Sequence, residues 1–235
     1  MERILSLEEE LTVDNIDEDT ERIEVITKNM KAYCHENMIM RNLRTPLTYV
    51  CRTGQVELAK ILIEMGADVN KPDREGATPL INAVASSSED IVKLLILHGV
   101  DVNMCPRHDI PPLAGAVYRN SMEIVNMLIE SGADVDQRLP HSQTALEIAI
   151  IDDNLEMAKT LVEAGADVNM CNDYQDSPLI QAFHSGSNDT FHFIRKAGGM
   201  AIVGGEIKPE TVIPLYEKAI NKYHSDPWFP RNFAE

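Results

Sequence analysis

Apolar and polar positions along this chain recur with two periods, one of about 3.6 residues and one of 33 residues. Each 33-residue unit begins with a short apolar stretch in which residues such as Leu80 and Ala83 share one helical face. A second stretch follows, as in 56–64, with apolar residues at helical spacing and acids on the opposite face. The pattern therefore predicts two short amphipathic helices in every unit.

Five units open with the same phrase, and four of them close with a second shared phrase. The openings are Thr45-Pro46-Leu47, Thr78-Pro79-Leu80, Pro111-Pro112-Leu113, Thr144-Ala145-Leu146 and Ser177-Pro178-Leu179. The closings are Gly66-Ala67-Asp68-Val69-Asn70, Gly99-Val100-Asp101-Val102-Asn103, Gly132-Ala133-Asp134-Val135-Asp136 and Gly165-Ala166-Asp167-Val168-Asn169. A fixed period of this length indicates a repeat architecture. Because one unit cannot bury its own apolar face, the units must stack into a solenoid whose concave surface is suited to binding.

The sequence also predicts where the first helix of each unit begins and ends. Proline in the opening phrase suits the first turn of a helix, where its missing N–H needs no partner. The last position of that helix is followed by residues that tolerate the left-handed conformation to different degrees. They are Gly54, Ser87, Asn120, Asp153 and Gly186, of which Ser87 is the least suited.

With these phrases, residues 43–203 resemble the ankyrin-repeat family, through the patterns TPLxxA and LLxxGADVN. The resemblance implies an all-α solenoid of paired antiparallel helices joined by hairpin loops, with hairpin tips and first helices on the concave side. It also implies a role in binding other proteins. No partner is identified by it.

Both ends of the chain differ from the repeats, and we expect three regions. Residues 1–42 form an acidic segment and a helical capping unit, with Ile23, Ile26 and Met30 on one face of a helix over 20–33. Residues 43–203 form the five repeats. Residues 204–235 form a sixth first helix, from about Ile213, and an aromatic tail containing Trp228. The tail either folds back over the last repeat or is an extended motif for a partner.

Composition limits the class of protein. The net charge is −17, and residues 1–24 alone contain ten acids and two bases. This charge argues against a protein that binds the phosphate backbone of nucleic acids. No stretch of 18 apolar residues and no secretory signal are seen, so we expect a cytoplasmic protein without a membrane span, with the nucleus as the alternative compartment. The four cysteines are expected to be reduced thiols. We also expect the protein to be a monomer.

Chemistry typical of enzymes is missing from the pattern. No phosphate-binding glycine loop, zinc spacing or nucleophile elbow is seen, and we expect no cofactor and no metal. His108 and His141 are one repeat apart, and stacked helices at about 10 Å leave them too far apart for a shared zinc ion. The Asp of each closing phrase is expected to brace its hairpin. The Asn after it is interpreted as a hairpin hydrogen-bonding residue. The alternative is enzymatic hydroxylation, because these sites resemble the hydroxylated sites of ankyrin repeats.

If ankyrin geometry holds, tip residues before each opening phrase and the last exposed turn of each first helix form one surface, here called the first-helix surface. Its predicted contact residues are Arg44, Arg52, Arg74, Glu75, Arg107, His108, Tyr118, Arg119, Arg138, His141 and Tyr174. Arginine dominates this set, which favours an acidic or phosphorylated protein segment as the ligand. Two alternatives stay open: the arginines only keep the surface hydrated, or the acidic amino-terminal segment lies against them.

The tips differ in whether they keep the Asp and Gly that bracket the turn in the family pattern. Asp73 and Gly76 match the family turn, whereas the other tips depart from it, and we expect these to bend differently. Leu139, Ile110 and Met170 are unusual tip residues, for which packing between tips is favoured over contact with a partner.

The sequence thus predicts a non-enzymatic interaction protein, an adaptor or inhibitor. The alternative is a regulatory or structural subunit of a larger assembly, binding through the ends of the stack or the aromatic tail. A small enzyme hidden in residues 200–235 is disfavoured by the shortness of that segment.

Overall fold

A computed structural model describes residues 45–106, 110–139, 143–210, 213–214 and 218. Ten helices lie wholly within these residues: α1 Pro46–Thr53, α2 Val56–Glu64, α3 Pro79–Ala85, α4 Glu89–Leu97, α5 Pro112–Tyr118, α6 Met122–Glu130, α7 Ala145–Ile151, α8 Leu155–Glu163, α9 Pro178–Ser185 and α10 Asn188–Lys196. Two short strands follow, β1 Ile202–Val203 and β2 Glu206–Ile207. The prediction of an all-α repeat fold is confirmed. The predicted capping helix over 20–33 and the aromatic tail lie outside the described residues.

The first helix of a repeat begins where the opening phrase predicts. The hydroxyl groups of Thr45, Thr78 and Thr144 accept hydrogen bonds from backbone N–H groups three residues later, at 3.1, 3.2 and 3.3 Å. Each of these bonds satisfies one of the N–H groups that a helix start leaves unpaired. Proline at the first helical position of α1, α3, α5 and α9 has no such N–H to satisfy.

Every first helix is followed by a left-handed residue, whether or not glycine is available. The values of φ are 72° at Gly54, 54° at Ser87, 53° at Asn120, 52° at Asp153 and 73° at Gly186. Glycine adopts this conformation without strain, and Asn and Asp adopt it more readily than other residues. The prediction that these positions end the first helices is confirmed, and Ser87 is the one held there with the least intrinsic preference.

The chain divides into two compact units, Met1–Asp101 and Val102–Glu235. In the described part of the first unit, α1 packs against α2 and α3, and α3 and α2 pack against α4. Leu80, Ala83 and Ile91 are fully buried between these helices. Cys51 on α1 is buried too, and the Ser86 hydroxyl donates a 2.8 Å hydrogen bond to the Cys51 carbonyl.

In the second unit, the first helices α5, α7 and α9 pack side by side, each also against its own second helix. Alanines at one position, Ala116, Ala149 and Ala182, are at most 1% exposed. Because this side chain is small, neighbouring helices can approach closely. Ile124, Leu161 and other apolar residues of the second helices complete the core.

The loops that close each repeat carry a regular set of hydrogen bonds. Asp68, Asp134 and Asp167 each accept the N–H two residues later, at 2.9, 3.1 and 2.8 Å, so the prediction that they brace the hairpin is confirmed. The Asn two positions after the Asp accepts a hydrogen bond from a different part of the chain. The backbone N–H groups of Asp101, Asp134 and Met200 donate to the amide oxygens of Asn70, Asn103 and Asn169, at 2.7 Å each.

These bonds correct the interpretation of the asparagines as local hairpin residues. Each donor lies 31 residues beyond its acceptor, so the bond joins consecutive repeats. The amides of Asn103 and Asn169 also donate, to the carbonyls of Gly132 and Gly198. Asp136 takes the same place with an acid, accepting from the N–H of Asp167 at 3.0 and 3.2 Å.

After α10, the strands β1 and β2 pair as an antiparallel hairpin. The hairpin is tied to the preceding tip, because the N–H of Ser177 donates to the carbonyl of Ile202 at 3.0 Å and the N–H of Gly205 to that of Gln175 at 2.9 Å. Pro209, Glu210, Ile213, Pro214 and Lys218 are helical. A helix therefore begins at Pro209, and most of the helix predicted from about Ile213 lies outside the described residues.

Candidate protein-interaction surface

In the first unit, the structure describes three of the predicted contact residues. Arg52 lies in the last turn of α1, and Arg74 and Glu75 lie on the tip between α2 and α3. All three side chains are exposed. Arg44, Arg107, His108 and His141 lie outside the described residues.

In the second unit, Tyr118, Arg119, Arg138 and Tyr174 are exposed, Tyr118 to 53% and Tyr174 to 81%. Tyr118 ends α5, and Ile151, at the same place on α7, is 49% exposed. Since α5 and α7 pack against each other, these two exposed side chains lie at the ends of neighbouring helices. Their exposure agrees with the predicted first-helix surface, and a role in contact with a partner stays a prediction.

Arg138 has a structural contact besides its exposure. One terminal nitrogen of its guanidinium donates a 3.1 Å hydrogen bond to the carbonyl of Cys171, one repeat further on. Arg138 therefore links two successive tips of the second unit.

The tip at Asn172 corrects the expectation that departures from Asp and Gly bend the turn differently. At the Asp73 tip, the Asp73 carboxylate accepts the N–H groups of Glu75 and Ala77, at 3.0 and 2.9 Å. At the Asn172 tip, the amide oxygen accepts those of Tyr174 and Asp176, at 2.9 and 3.1 Å.

The two tips also share their backbone conformation. Gln175 has a φ of 62° where Gly76 has 92°. An amide oxygen thus replaces a carboxylate oxygen, and a strained glutamine replaces the glycine, without a change of turn. Of the unusual tip residues, Leu139 is buried and Met170 is half-buried, as packing predicts, whereas Ile110 is 39% exposed.

Glu147 is a residue of this region that the sequence interpretation missed. It lies in the first turn of α7 and is 1% exposed. Thr144 and Glu147 form a capping box: the Thr144 hydroxyl accepts the N–H of Glu147, and the Glu147 carboxyl accepts the N–H of Thr144. The second carboxyl oxygen, Oε1, is buried without a hydrogen-bond partner among the described residues.

Burial raises the pKa of the Glu147 carboxyl from an ordinary 4.5 to about 7. The Thr144 N–H and the positive charge of Arg138 oppose this shift, and the negative charge of Asp173 adds to it. Desolvation disfavours the charged form of a carboxyl group. Two sequence signals could have identified this site: an acid at a position where the flanking repeats have Ala114 and Ile180, and the Thr-x-x-Glu spacing.

The thiols of the described residues are unbridged at Cys51, Cys105 and Cys171. Burial raises the pKa of Cys51 to about 12, which keeps it in the unreactive thiol form. No cluster of three or more His, Cys, Asp or Glu side chains suited to a metal ion occurs in the described part of the chain. Within the same residues, no helix has the length and apolarity needed to cross a membrane.

Comparison with protein families agrees with this geometry. A family model described as ankyrin repeats in three copies matches residues 18–104 and 113–202, and a second, of many copies, matches residues 83–129. No curated protein matches the chain. Ankyrin repeats are generally protein–protein interaction modules. Since the first model covers well over half of the sequence, the chain belongs to the ankyrin-repeat family.

Proposed function

We propose that this protein is a non-enzymatic interaction module, an adaptor or inhibitor, whose first-helix surface binds an acidic or phosphorylated segment of a partner protein. The observation that carries the proposal is the state of Arg52, Arg74 and Arg119. All three are exposed, and their guanidinium groups form no hydrogen bond or ion pair with another described residue. Arginine side chains in this state are available to pair with carboxylates or phosphates.

Exposed apolar residues of the second unit supply a second type of contact. Tyr118 and Ile151 are large, partly exposed side chains on rigid helices. Aromatic residues and arginines are the commonest residues of high binding energy in protein interfaces. A partner segment with an apolar side chain beside its acids therefore fits the second unit best.

The test is affinity purification with mass spectrometry from the native cell. The variant Arg52→Glu/Arg74→Glu/Arg119→Glu reverses the three available charges. The matched control is Lys60→Glu/Lys93→Glu/Lys159→Glu, which makes the same change in net charge at exposed positions of the second helices α2, α4 and α8. Circular dichroism and thermal unfolding confirm that both variants are folded.

We expect the arginine variant to lose the specific partner and the lysine variant to keep it. Equal loss from both variants would mean that only overall charge matters, and retention by both would rule out this surface. Phosphatase treatment of the lysate separates a phosphorylated ligand, which is lost, from an acidic one, which is retained.

A second candidate is a subunit of a larger assembly that binds through the carboxyl-terminal end. It is supported by Met200 and Ile207, which are 42% and 62% exposed near the last described repeat. The variant Met200→Ser/Ile207→Ser should release a stable co-purifying complex if this candidate is correct, and should leave it unchanged if the first-helix surface is used.

A further inference from the structure

Tyr174 has the most exposed large apolar side chain of the described residues, at 81%. It lies on the Asn172 tip, where the Asn172 amide oxygen accepts the N–H groups of Tyr174 and Asp176. An aromatic ring in this position adds little to the core, and aromatic residues are enriched in protein interfaces. Tyr174 is therefore a candidate contact residue whatever the charge of its ligand.

The tip that carries Tyr174 is also held by the β1–β2 hairpin. The N–H of Gly205 donates to the Gln175 carbonyl at 2.9 Å, and the N–H of Gly204 donates to Oδ1 of Asp176 at 3.1 Å. Gln175 keeps a left-handed φ of 62°, a conformation that persists only where the surrounding structure holds it. Because the turn is already ordered, a ligand of Tyr174 does not bear the entropic cost of ordering it.

The same hairpin brings a second exposed apolar side chain to this tip. Ile207 lies two residues after Gly205 and is 62% exposed. Tyr174 and Ile207 are thus each within two residues of the hydrogen bond that joins Gln175 to Gly205. A segment of about six extended residues is long enough to reach both side chains.

Acids outnumber bases around these two side chains. Residues 172–176 and 202–210 contain one base, Lys208, and four acids: Asp173, Asp176, Glu206 and Glu210. Lys208 is paired with Glu206 at 3.0 Å, whereas the Asp173 carboxylate forms no hydrogen bond or ion pair with another described residue. Arg138 on the preceding tip adds one positive charge, so the local balance stays negative. Charge complementarity therefore favours a cationic ligand here.

We infer that Asp173, Tyr174 and Ile207, here called the Tyr174 surface, bind a basic segment of a partner protein. An arginine of that segment stacks on the Tyr174 ring and pairs with Asp173, and an adjacent apolar side chain contacts Ile207. Arginine suits this place better than lysine, because its planar guanidinium stacks on aromatic rings and pairs with carboxylates.

This inference goes beyond the proposed function and does not rest on it, since the ligand has the opposite charge. It also changes the expectation for Tyr174, which the sequence grouped with the arginines of the first-helix surface. The described tip places this tyrosine beside acids instead.

The first experiment follows the backbone amide signals of the full chain by NMR while a six-residue peptide of alternating arginine and leucine is added. Two matched peptides carry lysine or aspartate in place of arginine. We expect the arginine peptide to shift the signals of Tyr174, Gly204 and Gly205, and to bind several-fold more tightly than the lysine peptide. Equal affinity of these two peptides would overturn the stacking. Shifts of the same signals by the aspartate peptide, or none by the arginine peptide, would overturn the basic ligand.

The second experiment measures the affinity of the arginine peptide for variants of the full chain. Tyr174→Ser should weaken binding about tenfold. Its control is Leu97→Ser, which removes a 73% exposed apolar side chain from α4 and should leave binding unchanged. Asp173→Lys should weaken binding several-fold, and its control, Glu64→Lys at an exposed position of α2, should have a much smaller effect.

Two results of these measurements would contradict the inference. Equal losses in a variant and its control would show that the peptide is attracted only by the overall negative charge. Signals of Gly204 and Gly205 that move with protein concentration, without any peptide, would show that a second copy of this chain occupies the Tyr174 surface.

Discussion

Two positions of the repeat differ in how strictly the stack constrains them. The loop position held by Asn103 forms the same hydrogen bond to the next repeat wherever it is described, with an amide or a carboxylate as acceptor. The first-helix position held by Glu147 is filled by a different side chain in nearly every repeat. Its residues are Thr48, Ile81, Ala114, Glu147 and Ile180.

The difference follows from what each position touches. The loop residue pairs with a backbone N–H group, which every repeat presents in the same place, so only an acceptor of suitable length serves. The first-helix residue has no such fixed backbone partner in the next repeat, so side chains of different size and polarity occupy it. Repetition therefore marks the positions that build the stack, and departures from it mark positions that are available for other chemistry.

The largest expected effect comes from moving the acid to the next repeat. Ile180→Glu places a carboxyl group at a buried apolar position, and should lower the free energy of unfolding at pH 8 by about 3–5 kcal/mol. Ile180→Gln is the matched neutral variant and should lose about 2 kcal/mol. Chemical denaturation at pH 8 measures both, and equal losses would show that charge at this position has no cost.

The loop position should respond less strongly. Asn103→Ala removes the acceptor of the Asp134 N–H and the donor to the Gly132 carbonyl, which should cost about 1–2 kcal/mol of unfolding free energy. Asn103→Asp keeps the acceptor, as Asp136 does one repeat later, and should lose less. If the alanine variant is as stable as the wild type, these bonds do not hold the repeats together.

The smallest expected effect is a gain, at the end of a first helix. Ser87→Gly relieves a left-handed serine at φ 54° and should raise the free energy of unfolding by about 1 kcal/mol. Ala85→Gly, at an exposed position of α3, is the control and should lower it by about 0.5–1 kcal/mol. Thermal unfolding monitored by circular dichroism detects both shifts, and a loss at Ser87→Gly would contradict the strain.

Much of the fold could be predicted from the sequence, because the period fixes which residues are equivalent. It located the helix starts at Thr45 and Thr78 and the left-handed residue at Ser87. The period could not show that Asn103 bonds to the next repeat, since hairpin and inter-repeat acceptors are compatible with the same spacing. Nor did it show that Asn172 and Gln175 reproduce the Asp73 turn.

The candidate site was less predictable. Exposure of Arg52, Arg74 and Tyr174 follows from family geometry, but the contact of Arg138 with Cys171 depends on how far one long side chain reaches. Glu147 was missed because an acid on a short helix is usually solvent-exposed. Only its burial on α7 reveals the cost of its charge.

The burial and the raised pKa of Glu147 are tested most directly by one measurement. It compares the free energy of unfolding of wild type and Glu147→Gln from pH 4.5 to 8. With a pKa raised from 4.5 to about 7, the folded state binds more protons than the unfolded state across this range, so wild-type stability should fall as pH rises. The glutamine variant lacks this contribution. We expect its stability relative to wild type to increase steadily with pH, by up to about 3 kcal/mol at pH 8. A difference that does not change with pH would contradict a buried, proton-linked Glu147.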